Sequence, residues 1–487
     1  MTSDDVHGRP GDGHGARLLI DGLWLARERA IEVRNPFDGR LVDTVPHGTC
    51  ADIDAALAAA ERALGTPWPS HARYDVLMRA AARVEADLAG YARTIALEGS
   101  KTIREAQYEP VRCVTLLRLA AEEGRRLSGE TLPFDSRVGS EHRVGYYFRF
   151  PAGVVGAITP FNDPLAMACH KVGPALAGGN AVVLKPGTAT PLSALRLAQD
   201  LVAAGLPPGR LNVVTGPGAE LGDALASDPR VRVLTFTGGV ETGAHISRIA
   251  GIKKLLMELG SNSPVIVMED ADLTRAVPAI AAGAFAQAGQ NCLGVQRVLV
   301  HDDVYDAFRD RFVAHVSTLT AGSSMDETTD VCAMITRGQA ERVERWIREA
   351  QQGGGRVLAG GRRDGAVVWP TVMEALPDGT RLDCEEVYGP VVSLYRVRSL
   401  DEAVARANRV HYGLHAAIFT ENLRHAFAAI HGLHVGGVMV NDSTDYRLDV
   451  MPFGGTKLSG IGREGVRCAL NEMTETRVVC FNVSCNP

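Results

Sequence analysis

A cysteine sits in a turn of small and polar residues, Gly289-Gln290-Asn291-Cys292, 34 positions after a glutamate in an equally small setting, Glu258-Leu259-Gly260. A thiolate attacks carbonyl carbon and a carboxylate within reach activates water, so this pair suits a two-step acyl transfer through a thioester. Plainer roles compete. Cysteine is most often a small buried hydrophobe, and Glu258 has Lys253 and Lys254 close by in sequence as salt-bridge partners. The Gly, Gln and Asn flanks set Cys292 apart from an apolar pattern, but spacing alone does not decide.

For the two groups to meet, the intervening chain must fold back. Val265-Ile266-Val267 predicts a buried strand and 273–288 a helix, and α/β folds gather their loops at one sheet edge. Upstream, 18–25 and 31–45 predict short strands, the second holding the turn Asn35-Pro36-Phe37-Asp38-Gly39. Helical spacing of apolar residues starts at Asp52, recurs over 77–95 and again over 103–127. Alternation at 143–150 predicts a strand. The rhythm of a parallel sheet follows, with strands at 154–159, 181–185, 211–215 and 233–237. A helix over 191–204 has Thr190 as N-cap, Pro191 at its first position and Gly205 as its stop. The second half predicts strands at 296–301, 391–397, 416–420 and 437–441, a helix at 304–317 and a glycine-rich loop at 451–460. A last strand at 476–483 is a candidate subunit-pairing edge. No low-complexity linker divides the halves, which predicts interleaved domains.

At 487 residues the chain exceeds what one core serves, so two or more domains are expected. With 46% apolar and 22% charged residues it reads as a soluble globular protein. A net charge of −6 gives no footprint for nucleic acid or an anionic membrane, and no apolar run is long enough to span a bilayer. Residues 1–17 lack the pattern of a secretory signal and predict a disordered tail. Nine scattered cysteines show neither CxxC pairs nor Cys/His spacing, which favours free thiols in a reducing cytoplasm over a disulfide framework or a zinc site.

Six stretches share one pattern: PAGVVGAITPFN (151–162), VVLKPGTATP (182–191), FTGGVETG (236–243), MELG with GQNC, EEVYGP (385–390) and PFGGTKLSGIGREG (452–465). In this order they resemble the NAD(P)-dependent aldehyde dehydrogenase superfamily from about residue 18 onward. They are closest in feel to its phosphonoaldehyde, lactaldehyde and non-phosphorylating glyceraldehyde-3-phosphate dehydrogenase branch. The resemblance implies Cys292 as nucleophile, Glu258 as the base for hydrolysis, and the Asn162 amide with the Cys292 N–H as oxyanion donors. Coenzyme A-acylating relatives are expected to lack this glutamate. A non-catalytic relative would lack one of Cys292, Glu258, Asn162 or Lys185.

The same resemblance implies NAD or NADP as cofactor. Gly238 and Gly243 would bracket the pyrophosphate at a helix start, Lys185 would bond the adenosine ribose, and Glu386 would hold the nicotinamide ribose with Tyr388 beside the ring. Thr159, Pro160, Phe236 and Leu259 fall in the same motifs. Many NAD-preferring relatives carry a glutamate three residues after the lysine. Thr188 stands there, so NADP is not excluded.

Arg112 and Arg447 resemble anion-binding arginines of relatives that oxidise phosphorylated or phosphono aldehydes, and two guanidinium groups suit a bidentate grip. Asp163, next to Asn162, would repel an anion or bond a hydroxyl, and Arg112 could instead pair with Glu109 or Asp163. A small anionic aldehyde and a neutral hydroxyaldehyde such as lactaldehyde or glyceraldehyde both stay open. The implied fold is α/β, with a Rossmann-type cofactor domain (1–132 and 151–257), an α/β catalytic domain (258–465) and a β oligomerisation extension (133–150 and 466–487). A homodimer or homotetramer is implied, with no metal.

Overall fold

Five parallel strands form the centre of an eight-stranded sheet in the computed structural model, which describes residues 8–483. The parallel part begins at the middle of the sheet, with Val154–Ile158, and steps outward through Ala181–Lys185 to Leu211–Val213. It then returns to the other side of the first strand with Val231–Thr237 and Lys254–Glu258. Strand order therefore reverses between Val154–Ile158 and Val231–Thr237, and α/β sheets bind ligands in the crevice beyond the strand ends at such a reversal. Antiparallel strands at either edge, Leu18–Ile20 with Leu23–Leu25 and Gly460–Ile461, complete the sheet.

A second, seven-stranded sheet holds Ser263–Val267, Val295–His301, His415–Phe419, Gly437–Val440, Val391–Val397, Thr371–Glu374 and the antiparallel Arg356–Ala359. Its central strands are almost wholly buried and mostly apolar, as in a sheet covered on both faces. A separate three-stranded sheet joins Glu130–Leu132, Arg143–Pro151 and Thr474–Asn482. Among the described residues no helix is long and apolar enough to cross a membrane.

Helix Pro164–Ala177 is buried along its whole length and packs under the first sheet; an apolar surface all round is what such a position requires. Its first free N–H groups, of Leu165 and Ala166, donate to Glu109 Oε1 at 2.9 Å each. Glu98 does the same for Leu192 and Ser193, at 2.7 and 2.9 Å. That helix runs Leu192–Ala203 with Pro191 as N-cap, so the cap expected from Thr190 is supplied by a carboxylate of another helix.

Other departures have local causes. The helical stretch 77–95 breaks at Ala86 and Asp87, and 103–127 divides at Gln107 into Ile103–Ala106 and Tyr108–Arg125. The helix expected over 273–288 ends at Phe285, because Gln287 and Ala288 take left-handed backbone angles (φ 56° and 54°). Residues 1–7 of the expected tail lie outside the described residues, but 8–17 are held. Asp43 accepts the N–H groups of Gly11 and Gly15 at 2.7 and 2.9 Å, and Arg9 pairs with Asp87 and Asp200. The thiols are not all free: Cys113 and Cys169, buried on the packed helices Tyr108–Arg125 and Pro164–Ala177, form a disulfide.

Candidate active site

Glu258 is the last residue of a strand in the first sheet, and Cys292 lies just before Val295–His301 in the second. Facing edges of two sheets thus bring together residues 34 apart. The strand Lys254–Glu258, not anticipated from the sequence, aims Glu258 into a cavity of about 900 Å³ between the sheets. Cys292, Asn162, Asp163, Arg112 and Arg447 line the same cavity. So do Thr159, Pro160, Thr188, Gly238, Leu259, Glu386 and Tyr388. Lys185, Phe236 and Gly243 stand behind its wall.

The cysteine turn is held rigidly. Gln290 accepts the Ile335 N–H at 3.0 Å and donates to Gln287 O at 3.3 Å, while Asn291 Oδ1 takes the Leu293 N–H at 3.0 Å. Gly289 has φ 68°, and a side chain there would strike the carbonyl of Gly389. The Cys292 sulfur packs against Leu293, Leu414 and Phe453. Burial, and then the charge of Glu258, push its thiol well above the ordinary range. Neither the Cys292 backbone N–H nor the Asn162 side chain has an acceptor among the described residues, so both stay available to an oxyanion on the cavity side.

Glu258 has no ion pair with Lys253 or Lys254. Lys253 reaches the carbonyls of Ala226 and Asp228, and Lys254 those of Glu472 and Thr474. Burial first, then the nearby negative Glu464, raise the Glu258 carboxyl to about 8. Its Oε1 is buried without a partner among the described residues, and the carboxyl faces the same cavity as the Cys292 thiol. A carboxyl poised near neutrality beside a thiol is what a general base for that thiol requires.

A network missed in the sequence supports this pair. Lys171 Nζ donates to Thr235 Oγ1, Thr237 Oγ1 and Glu464 Oε1 at 3.0, 2.8 and 3.0 Å. Against burial, Lys171 and Arg447 hold Glu464 well below the usual carboxylate range. Two signals pointed to it: a lysine inside the apolar run PLAMACHKVGPALA, and a glutamate inside PFGGTKLSGIGREG.

At one end of the cavity the walls fit a dinucleotide. Lys185 Nζ donates to Pro186 O and Thr188 Oγ1 at 3.0 and 3.2 Å and has no carboxylate partner; burial lowers it to about 8. Nothing crowds Gly239 at the N-terminus of helix Val240–Ile249, where bare N–H groups favour phosphate. A side chain on Gly238 would strike the Phe236 ring, and one on Gly243 the Leu259 side chain. Gly260 lets Glu386 approach closely enough to accept the Ser261 N–H at 2.7 Å. Burial raises Glu386 to about 7. Tyr388 stands edge-on to Phe161 with ring centres 5.8 Å apart.

The other end is charged. Arg112 pairs with Asp449, not with Glu109 or Asp163, and one of its Nη atoms lies 2.9 Å from His170 Nε2. Arg447 donates to Glu464 at 3.0 Å, and the same Nη2 lies 3.3 Å from His170 Nε2. Burial and then Arg447 lower His170 to about 4, leaving it neutral between the arginines. Lys101, unremarked in the sequence, binds both Glu109 and Asp163, so the charge of Asp163 is met and does not confront an incoming anion. Arg447 keeps its Nε buried with no partner.

The family model described as "Aldehyde dehydrogenase family" matches residues 24–479. "Aspartate-semialdehyde dehydrogenase 1" of Pseudomonas canavaninivorans is 48% identical, over 94% of this chain and 97% of that protein. Aldehyde dehydrogenase 21 of Physcomitrella patens, solved in complex with the reaction product succinate, superimposes with a TM-score of 0.94 at 37% identity, covering 97% of this chain and 99% of that one. The NADP-dependent glyceraldehyde-3-phosphate dehydrogenase of Bacillus halodurans C-125, complexed with NADP, gives 0.94 at 35% identity, covering 96% and 100%.

Proposed function

The chain belongs to the aldehyde dehydrogenase family, and from that premise we propose that it oxidises a small anionic aldehyde, with Cys292 as nucleophile, Glu258 as base and Asn162 as oxyanion donor. The family reaction turns an aldehyde into a carboxylic acid with NAD or NADP. Glu258 takes the thiol proton as Cys292 bonds to the carbonyl carbon. The resulting oxyanion is met by the Asn162 amide and the Cys292 N–H, donors fixed before the charge develops. The cofactor, when bound, accepts the hydride. The C–H bond breaks and leaves a thioester on Cys292. Glu258 passes that proton on to solvent and then removes one from water, which attacks the acyl carbon; the C–S bond breaks, the acid departs and the sulfur recovers a proton from Glu258.

The unpartnered Nε of Arg447 carries the anionic assignment, because a buried guanidinium nitrogen without an acceptor is costly until a ligand supplies one. Arg112 stands on the same wall with Nε and one Nη committed to Asp449 and His170. The relatives agree in chemistry: one is named for aspartate semialdehyde and another holds succinate, both carboxylates. Phosphonate has no such support. Succinate semialdehyde should be oxidised with a higher kcat/KM than the uncharged butanal. Arg447→Ala or Arg112→Ala should cut that preference by about 10- to 100-fold, the worth of a charge-assisted hydrogen bond. A preference for butanal in the parent enzyme, or a ratio untouched by either change, would return both arginines to a structural part.

Thr188 governs the adenosine end. Its hydroxyl accepts from Lys185 and donates to Gly216 O at 3.0 Å, so a neutral side chain stands three residues after the lysine where many NAD-preferring relatives carry a glutamate. We expect both cofactors to serve. In Thr188→Glu the efficiency with NADP should fall about 100-fold relative to NAD, since like charges set face to face cost several kcal/mol. An overwhelming NAD preference in the parent chain would refute this.

Assembly into a homodimer or homotetramer is supported by the three-stranded sheet, whose Tyr146, Phe148, Val478 and Phe481 are exposed although apolar. Strand Gly437–Val440 ends the second sheet with one edge unpaired among the described residues, an opening for another chain's strand.

A further inference from the structure

At the aldehyde end of the cavity, Asp163 has Lys101, Asp449 has Arg112, and Glu464 has Lys171 and Arg447. Asp445, on the same wall, has no cation within ion-pair distance among the described residues. Its neighbours are the Ser443 hydroxyl and its own backbone N–H, and burial lifts its carboxyl above the ordinary range. The nearby imidazole of His415 offers no counter-charge, since burial lowers it to about 4.

The position of Asp445 is fixed beside the nucleophile. Thr444 donates its hydroxyl to the carbonyl of Leu293, the residue after Cys292, at 2.5 Å, and its own carbonyl lies 2.9 Å from His415 Nδ1. Gly283 on the helix Leu273–Phe285 leaves room for the carboxylate: a Cβ there would come within 3.1 Å of Asp445 Oδ1. A half-buried carboxylate held on a substrate cavity without a cation is costly in the free enzyme and is relieved when a ligand brings the opposite charge.

We propose that Asp445 receives the ammonium group of the substrate while Arg447 and Arg112 hold its carboxylate, so that the enzyme acts on short aldehydes bearing both charges, the semialdehydes of amino acids. This rests on the anionic-aldehyde assignment and adds a second recognition point to it. A carboxylate binds an ammonium by charge and by a short hydrogen bond, whereas an asparagine in its place keeps only a neutral acceptor.

The test compares aspartate semialdehyde with succinate semialdehyde, which differ only by the amino group, in the parent enzyme and in Asp445→Asn. The parent should favour the amino compound by about tenfold or more in kcat/KM, and Asp445→Asn should shrink that ratio by about 10- to 100-fold, chiefly through KM. An unchanged ratio in the variant overturns the proposal. So does a parent enzyme that is indifferent to the amino group or prefers its absence, a result that stands even if the variant does not fold. If both semialdehydes are turned over no better than butanal, the anionic assignment has failed and the ammonium site falls with it. If succinate semialdehyde beats butanal but the amino group brings no gain, only the ammonium site is lost.

Discussion

Cys292→Ala is expected to lower kcat/KM for aldehyde oxidation by about 10⁴- to 10⁶-fold, the loss seen when a covalent nucleophile is removed. The rest of the cavity cannot replace it. Among the described residues the other free cysteines are Cys50, Cys332, Cys384, Cys468 and Cys480, and none lines the cavity. In the proposed reaction, without the C–S bond the carbonyl carbon does not become the tetrahedral alkoxide from which hydride leaves, and Asn162 has no oxyanion to stabilise. Formation of reduced nicotinamide, followed by absorbance, reads the loss directly. Activity within about tenfold of the parent would show that chemistry passes elsewhere.

The resting thiol adds a pH signature. Burial holds Cys292 protonated at neutrality, so in the proposed reaction attack moves its proton to Glu258. With Glu258 raised to about 8, only a small share is in the base form at pH 7 and most of it at pH 9. The kcat/KM of the parent should therefore climb roughly tenfold across that interval.

The chemistry was legible in the sequence to different depths at different residues. Cys292, Asn162 and Glu386 lie in short motifs where one side chain and its neighbouring backbone make the site, and all three line the cavity. Lys101, Lys171 and His170 escaped notice because their roles depend on partners more than 60 residues away, such as Asp163, Thr237 and Asp449. No local pattern encodes such pairings. For the same reason the sequence offers Glu109 or Asp163 as structural partners for Arg112, whereas the fold gives both to Lys101 and Asp449 to Arg112. Helix ends went astray where caps come from elsewhere, as at Thr190, whose task Glu98 performs. The strand Lys254–Glu258 was hidden because Lys-Leu-Leu-Met-Glu has no alternation to betray it; it is recognisable only when paired with Val231–Thr237.

Glu258→Gln should separate the two halves of the reaction. Glutamine fills nearly the same volume, but it takes no proton from water. Loss of a positioned general base costs about 10²- to 10⁴-fold, so steady-state kcat should fall by that amount. Because Glu258 serves both attack and hydrolysis in the proposed reaction, mixing the variant with aldehyde and cofactor tells which half suffers more. A burst of reduced nicotinamide near one per active site, then a slow phase, marks hydrolysis, and a slow rise without a burst marks attack. In the first case mass spectrometry would find the acyl group on Cys292. The rise of activity between pH 7 and 9 should vanish with the carboxyl group that causes it. Stability should move the opposite way. Glu258 keeps its proton in the folded chain up to about 8 but surrenders it near the ordinary carboxylate value when unfolded. The fold therefore loses stability as pH rises through that window, by at most about 5 kcal/mol. Glutamine has no proton to lose, so the variant should melt above the parent at pH 9 and match it near pH 4. An enzyme that became less active and no more stable at pH 9 would mean that Glu258 is charged in the resting site, with a cation or water meeting it. A slower enzyme that became more stable only at high pH would identify a carboxyl kept in a costly setting because the reaction needs its proton affinity there.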